Sequence, residues 1–270
     1  MDNRPIGVFD SGAGGLTAVR QLQRLMPHES IIYFGDTGRV PYGTRSPEII
    51  TQYAKQDIRF LLSKDVKFIL AACGTVSSIL PATFTQTLPV PYVGVVQAAC
   101  TAAVAATRNG RIGVIATPAT IRSDSYRQQI QSILPDAQVF TKSCPMFVPL
   151  VENGYVGADD PITTAIAQEY LEPIRQLEVD TLILGCTHYP LIAHIIGKVM
   201  GPGVTLIDAG REAAVRTQQL LEQQGRLAQR ESGSTEYYVS DTGESFDAAV
   251  QLFVGPHSTE KATQIAIENF

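Results

Sequence analysis

No stretch of the sequence approaches the roughly 20 consecutive apolar residues that span a bilayer, so no membrane partner is expected. The longest weakly polar segment, Val93 to Thr107, is interrupted by Gln97 and two threonines, and it predicts a buried strand followed by an alanine-rich helix. The opening residues, MDNRPIGVFD, hold neither the apolar core nor the cleavage site of a secretory signal, so a cytoplasmic location is expected. A basic surplus is also missing. Twenty-one Lys and Arg against 26 Asp and Glu leave a net charge of −5, the wrong sign for a nucleic-acid binder. No run of like charges reads as an interaction tail, no Pro- or Ser-rich linker marks a boundary, and no phosphate loop ending in Gly-Lys-Ser/Thr is present. Four cysteines in 270 residues are too few for a disulfide framework, and they are expected as thiols. What remains is 44% hydrophobic and 17% charged. Such a composition buries a sizeable core, in a chain long enough for one large α/β domain or two modest ones.

Short apolar runs predict strands at 6–9, 30–34, 67–71, 92–96, 112–116, 137–140, 181–184 and 204–207, with amphipathic helices at 16–25, 47–62, 120–134, 161–177 and 211–224. Strands alternating with helices predict an α/β fold of mostly parallel sheets flanked by helices. Right-handed crossovers then put every strand's C-terminal end on one edge, where ligands bind in such folds. Two segments echo one another, KFILAACGTVSS and DTLILGCTHYPL: apolar strand, small residue, Cys, a Thr within two positions, then a helix. The echo predicts two pseudo-symmetric lobes, each presenting a cysteine at a strand end, with a site at their interface. Residues 1–96 and 208–270 are assigned to the first lobe, with Cys73, and 97–207 to the second, with Cys186.

Small, polar and nucleophilic residues collect after the strands: Asp10-Ser11-Gly12, Gly35-Asp36-Thr37, Pro41-Tyr42-Gly43, Cys73-Gly74-Thr75, Thr117-Pro118-Ala119-Thr120 and Cys186-Thr187-His188. Core packing does not require this. A cysteine is most often a small buried hydrophobe, and that reading is kept for Cys100 and Cys144. For Cys73 and Cys186 the matched contexts favour chemistry, and a helix start beside each is expected to draw the thiol pKa down from about 8.5 toward neutrality. A zinc site from Cys73, Cys186 and His188 is the competing reading, but neither the paired C-x₂₋₄-C nor a fourth ligand of such sites is visible. GVFDSGAGGLT with Asp36 half-matches a dinucleotide fingerprint. Its third glycine position is Thr17, and Asp10 would repel a pyrophosphate; the bland alternative is a tight strand-to-helix turn. His188 reads equally as a satisfied core histidine or as a residue that, beside Cys186, donates a proton or holds a substrate carboxylate. The bland reading of Asp10, Asp36 and Glu152 is helix caps or solvated surface, and Glu152, in a loop-like LVENGYVG, has the weakest context for a functional role.

Taken in order, IGVFDSGAGGLT, YFGDTGRVPYG, ILAACGTVSS, GVIATPATI, LVENG and LILGCTHYPL resemble the glutamate racemases of the aspartate/glutamate racemase superfamily, over essentially the whole chain. The resemblance implies that Cys73 and Cys186 are the catalytic thiols, the first taking the α-proton of D-glutamate and the second that of L-glutamate. Asp10 would assist Cys73, His188 would assist Cys186, and Asp36 and Glu152 would support them. Ser11, Pro41, Tyr42, Gly43, Gly74, Thr75, Thr117, Thr120 and Thr187, with Asp10 and His188, fall on the segments that hold the substrate. A homodimer and a role in supplying D-glutamate for peptidoglycan are also implied. One departure stands out: the family's usual Cys-Asn-Thr is here Cys73-Gly74-Thr75. A lost hydrogen bond to a charged carboxylate costs roughly 1.5–3 kcal/mol, so weaker substrate binding is expected.

Racemisation removes a proton from one face of the α-carbon and returns one to the other, so one acid–base group on each face is the simplest solution. The strand-end motifs contain no lysine for a Schiff base, so no pyridoxal phosphate is expected, and no metal. Preorganised donors around the α-carboxylate would then stabilise the carbanion. Two alternatives remain: an aspartate or hydantoin racemase on the same fold, and a non-catalytic amino-acid or dinucleotide binder in which the paired cysteines are accidental.

Overall fold

The computed structural model describes residues 1–241, 245–255 and 261–270, the side chains of Ser245 and Asp247 excepted. The parts of the expected first lobe at 242–244 and 256–260 therefore lie outside the described residues. In chain order the first half runs β1 (Ile6–Asp10), α1 (Leu16–Leu25), β2 (Ile31–Gly35), α2 (Pro47–Ser63), β3 (Phe68–Ala71), α3 (Gly74–Ile79), α4 (Ala82–Thr85), β4 (Tyr92–Gly94) and α5 (Val95–Ala106). There follow β5 (Arg111–Ala116), α6 (Pro118–Arg122), α7 (Ser125–Ile133), β6 (Gln138–Ser143), α8 (Phe147–Glu152), α9 (Pro161–Arg175), β7 (Thr181–Leu184), α10 (Ala193–Met200), β8 (Thr205–Asp208) and α11 (Ala209–Gln223). The chain closes with β9 (Thr235–Val239), α12 (Ser245–Phe253) and β10 (Thr263–Gln264). None of the described helices is long and apolar enough to cross a membrane.

The strands form two sheets, ordered β10-β9-β2-β1-β3-β4 and β6-β5-β7-β8, with every pairing parallel. Two parallel sheets flanked by helices make this an α/β fold. Register aligns the C-terminal ends: Asp10 pairs with Gly35 and Phe9 with Ala71 in the first sheet, and Ile115 with Leu184 in the second. The residues that follow these positions therefore emerge on a common edge.

Alternation along the strands separates two cores. Ile6, Val8, Phe68 and Leu70 point into a large cluster that also takes in α1, α5, α11 and the whole second sheet. Phe9, Phe34, Ile69 and Ala71 point the other way, under α2. Side chains two residues apart share a face of a strand, so a strand buried on both faces reads as an unbroken apolar run. Helix starts follow local chemistry. Ser46 precedes Pro47 and accepts from Ile49 N; Asp160 precedes Pro161 and accepts from Thr163 N at 2.8 Å; Asp208 accepts from Gly210 N and Arg211 N. Each satisfies amides that have no partner within the helix.

Several expected boundaries move. The run at 92–96 stops as a strand at Gly94, and Val95 already opens α5. The helix expected at 120–134 is two helices, parted at Asp124, whose φ of 54° is left-handed and cannot continue either one. Glu152 is the last residue of α8 rather than a loop residue. After Cys186 the chain takes a 3₁₀ turn, Tyr189–Ile192, before α10 begins, so no α-helix starts directly beside that cysteine. Strands β9 and β10, absent from the sequence reading, join the first sheet next to β2.

Candidate active site

A cavity of about 710 Å³ opens between the two sheets' C-terminal edges. It is lined by Asp10, Ser11, Pro41, Tyr42, Gly43, Cys73, Gly74, Thr75, Thr117, Thr120, Glu152, Cys186, Thr187 and His188. Of the residues expected to act in catalysis or to hold the substrate, Asp36 alone is missing from this wall. It lies completely buried behind Tyr42, whose hydroxyl donates to it. The sequence reading missed Arg122, at the mouth on α6, and the apolar rim of Val40, Pro145, Val148 and Pro149. Arg122 sits two residues beyond a selected threonine; the rim residues carry no chemical signal of their own.

Cys73 is the N-terminal cap residue of α3, and its Sγ lies 3.5 Å from Ser11 Oγ. The turn beneath it is closed by Asp10, which accepts from Gly15 N at 2.8 Å. The expectation of a lowered thiol pKa fails here. Burial, and then the charge of Asp10, push Cys73 up to about 12. Helix α3 has only six residues, and its end dipole does not offset desolvation of a thiolate. Cys73 is therefore a thiol near neutral pH.

Cys186 follows β7, and its Sγ lies 3.8 Å from His188 Nδ1. His188 Nε2 meets Glu152 Oε1 at 3.0 Å, which brings α8 into the site from another part of the second sheet's flank. Burial opposes a charged ring, but the hydrogen bonds to Cys186 and Glu152 outweigh it and lift His188 to about 10. His188 thus carries a proton beside Cys186 near neutral pH. Its ring stands edge-on to Phe253 of α12, 5.4 Å between centroids. Across the cavity floor the hydroxyls of Thr75, Thr117 and Thr120 lie 3.0–3.4 Å apart, bringing α3 and α6 together.

Glycines set how closely the two edges approach. A Cβ at Gly74 would fall 2.5 Å from the Gly185 carbonyl oxygen, and one at Gly14 would fall 2.3 Å from Thr187 Oγ1. Neither glycine has a positive φ, so contact rather than backbone conformation excludes a side chain. That gives Gly74 a physical reason: the loop after β3 is pressed against the loop before Cys186, and no Asn side chain fits between them without movement. Among the described residues, no group of three or more His, Cys, Asp or Glu is placed to hold a metal ion.

The model of the Asp/Glu/hydantoin racemase family matches residues 16–217. The chain belongs to this family. A glutamate racemase of Geobacter metallireducens is 43% identical over 257 residues, covering 94% of both chains. One of Streptococcus sanguinis is 45% identical over 256 residues, covering 94% of this chain and 96% of the relative. The crystal structure of glutamate racemase from Francisella tularensis, in complex with D-glutamate, superposes with a TM-score of 0.91 at 36% identity and full coverage of both chains. As a member of the Asp/Glu/hydantoin racemase family, this chain is an isomerase of the glutamate racemase type.

Proposed function

We propose that the enzyme interconverts L- and D-glutamate by a two-base mechanism in which Cys73 and Cys186 address opposite faces of the α-carbon. The observation that carries this reading is the pair of thiols on one cavity, each beside a different titratable group. Cys186, with protonated His188 alongside, takes the α-proton of L-glutamate, and the Cys73 thiol delivers a proton to the other face to give D-glutamate. The reverse reaction exchanges the two roles. The carbanion is met by fixed donors, the Ser11, Thr75, Thr117, Thr120 and Thr187 hydroxyls that line the cavity. No pyridoxal phosphate or metal takes part in this scheme. Arg122 at the mouth supplies a cation for the anionic substrate. The product serves peptidoglycan synthesis, and the enzyme works in the cytoplasm as a homodimer.

The test is incubation of the pyridoxal-phosphate-free enzyme with L-glutamate in deuterium oxide, following optical rotation and α-deuteration together. Loss of rotation with deuterium at the α-carbon supports the reading. Exchange with aspartate but not glutamate would move the substrate, and no exchange with any amino acid would sink the two-thiol scheme.

A further inference from the structure

Behind the Tyr42 wall of the cavity lies a polar cluster outside the two thiol sites. Asp36 and Asp57 are both fully buried, and Arg39 is the one cation in contact with them among the described residues. Arg39 Nε donates to Asp36 Oδ2 at 2.6 Å, Nη2 to Asp57 Oδ1 at 3.1 Å and Nη1 to Gln56 Oε1 at 2.6 Å. Its guanidinium lies 4.0 Å from the centre of the Tyr53 ring. Tyr42 Oη reaches both carboxylates, Asp36 Oδ2 closely and Asp57 Oδ2 at 3.2 Å.

Counting hydrogens locates a proton. A phenol has one hydrogen to donate, yet Tyr42 Oη meets two carboxylate oxygens. Two carboxylates facing one guanidinium would also leave a buried negative charge unpaired, which is strongly unfavourable. One carboxyl must therefore carry a proton. On Asp36 it has no place: Oδ2 already accepts from Arg39 and Tyr42, and Oδ1 is buried without a hydrogen-bond partner among the described residues, so a hydroxyl there would have no acceptor. On Asp57 Oδ2 it points at Tyr42 Oη. Each of these hydrogen bonds then has one donor and one acceptor: Asp57 donates to Tyr42, Tyr42 donates to Asp36, and Arg39 balances Asp36, whose Oδ1 alone stays without a partner among the described residues.

We propose that Asp57 is a positioning residue of the active site, a neutral carboxylic acid whose hydrogen bond to Tyr42 Oη fixes the tyrosine ring and, with it, the Pro41–Gly43 wall of the cavity. Burial, then the neighbouring charge of Asp36, holds the Asp57 carboxyl well above the usual carboxylate range against the opposing pull of Arg39. The kinetic part of the test rests on the racemase reading; the spectroscopic part does not.

The experiment compares Asp57→Asn, Asp57→Ala and the unaltered enzyme. Asparagine supplies an N–H donor toward Tyr42 and an acceptor toward Arg39, so it reproduces a neutral acid and rescues KM. Alanine frees the tyrosine and raises KM on the order of tenfold, the effect of one lost hydrogen bond, with a smaller change in kcat. The infrared spectrum of the unaltered enzyme near neutral pH shows a protonated-carboxyl C=O band that disappears in Asp57→Asn. Absence of that difference band overturns the proposal, as does an Asn variant with the same raised KM as the Ala variant. If the alanine variant fails to fold, the asparagine kinetics and the infrared difference still decide. If the enzyme turns over no amino acid, the band still tests the acid while the racemase reading alone is lost.

Discussion

Cys73 and Cys186 face one cavity from two sheets, yet their neighbours have opposite charge. Cys73 stands over Asp10 at the head of a six-residue helix, and burial beside a carboxylate keeps it a thiol. Cys186 stands beside His188, which Glu152 and the sulfur itself keep protonated. The two sheets present a repeated motif but not the same electrostatics. Strand end, cysteine and nearby threonine recur on both sides; the charged groups beside each cysteine do not. In the proposed scheme the first sheet's side thus holds a thiol over Asp10, and the second's holds a cysteine beside the His188–Glu152 pair.

Removing one thiol at a time should have the greatest consequence. Cys73→Ala and Cys186→Ala should each lower racemisation by roughly 100- to 10,000-fold, the usual contribution of a positioned acid or base. The residual chemistry should differ. Cys73→Ala keeps the Cys186 side, so L-glutamate exchanges its α-proton in deuterium oxide with retention. Cys186→Ala keeps exchange of D-glutamate instead. Reversed preferences would mean that the faces are assigned the wrong way round.

Removing the imidazole comes next. His188→Gln should reduce kcat by on the order of 100-fold, more from L-glutamate than from D-glutamate. The enantiomers have equal free energy in solution, so kcat/KM must stay equal in the two directions, and any asymmetry has to appear as kcat and KM moving together. Equal kcat losses in both directions would show that His188 does not belong to one thiol. The same residue carries a stability signature. Its folded pKa of about 10 lies above the 6.5 of an ordinary histidine, so the folded state binds more protons between those values. Its contribution to stability is complete below about pH 6.5 and is lost as pH rises to about 10. Thermal midpoints followed over that range should fall in the unaltered enzyme and fall less in His188→Gln.

How far the sequence could reveal this asymmetry depends on what each feature needs. The strand ends were legible because parallel strands buried on both faces read as apolar runs, and polar residues after them are conspicuous: Cys73, Thr75, Thr117, Cys186 and His188 all line the cavity. Proton states were not legible. The thiol of Cys73 is raised by burial and by Asp10, both of which act through space, whereas the helix start visible in the sequence pointed the other way. Glu152 looked like loop because a six-residue α8, with Pro149 inside it, has too few positions to show a helical period. Strand β9 was hidden because only Tyr237 and Val239 of its five residues are buried. Asp57 had a signal that went unread: it occupies a core-facing position of α2 alongside Ile50, Ala54, Ile58 and Leu61, where a carboxylate needs a buried partner.

The close approach of the two sides can be probed at Gly74. A Cβ there lies 2.5 Å from the Gly185 carbonyl oxygen, and backbone is not easily displaced. Gly74→Ala should destabilise the fold by about 1–3 kcal/mol, as overpacking does, and raise KM as the loops part. Gly74→Asn should do more of both. An asparagine variant that binds glutamate more tightly with no loss of stability would show that the loops separate freely, and that contact across the seam does not set the spacing of the thiols.

Glu152 should matter least. Its side chain is 56% exposed although it meets His188 Nε2 at 3.0 Å, and a pair open to solvent is worth about 0.2–1 kcal/mol. Glu152→Gln should therefore slow the reaction by at most about fivefold, far less than loss of His188. It should also move the alkaline fall of kcat to lower pH, because the carboxylate is one of the two partners that hold the imidazole proton, while Cys186 remains. Added salt should shrink the difference between Glu152→Gln and the unaltered enzyme, as screening of a solvent-exposed charge requires. If Glu152→Gln instead matched His188→Gln in rate, the carboxylate would be setting the imidazole's proton outright, and the second side of the cavity would be a three-member relay rather than a thiol with one working partner.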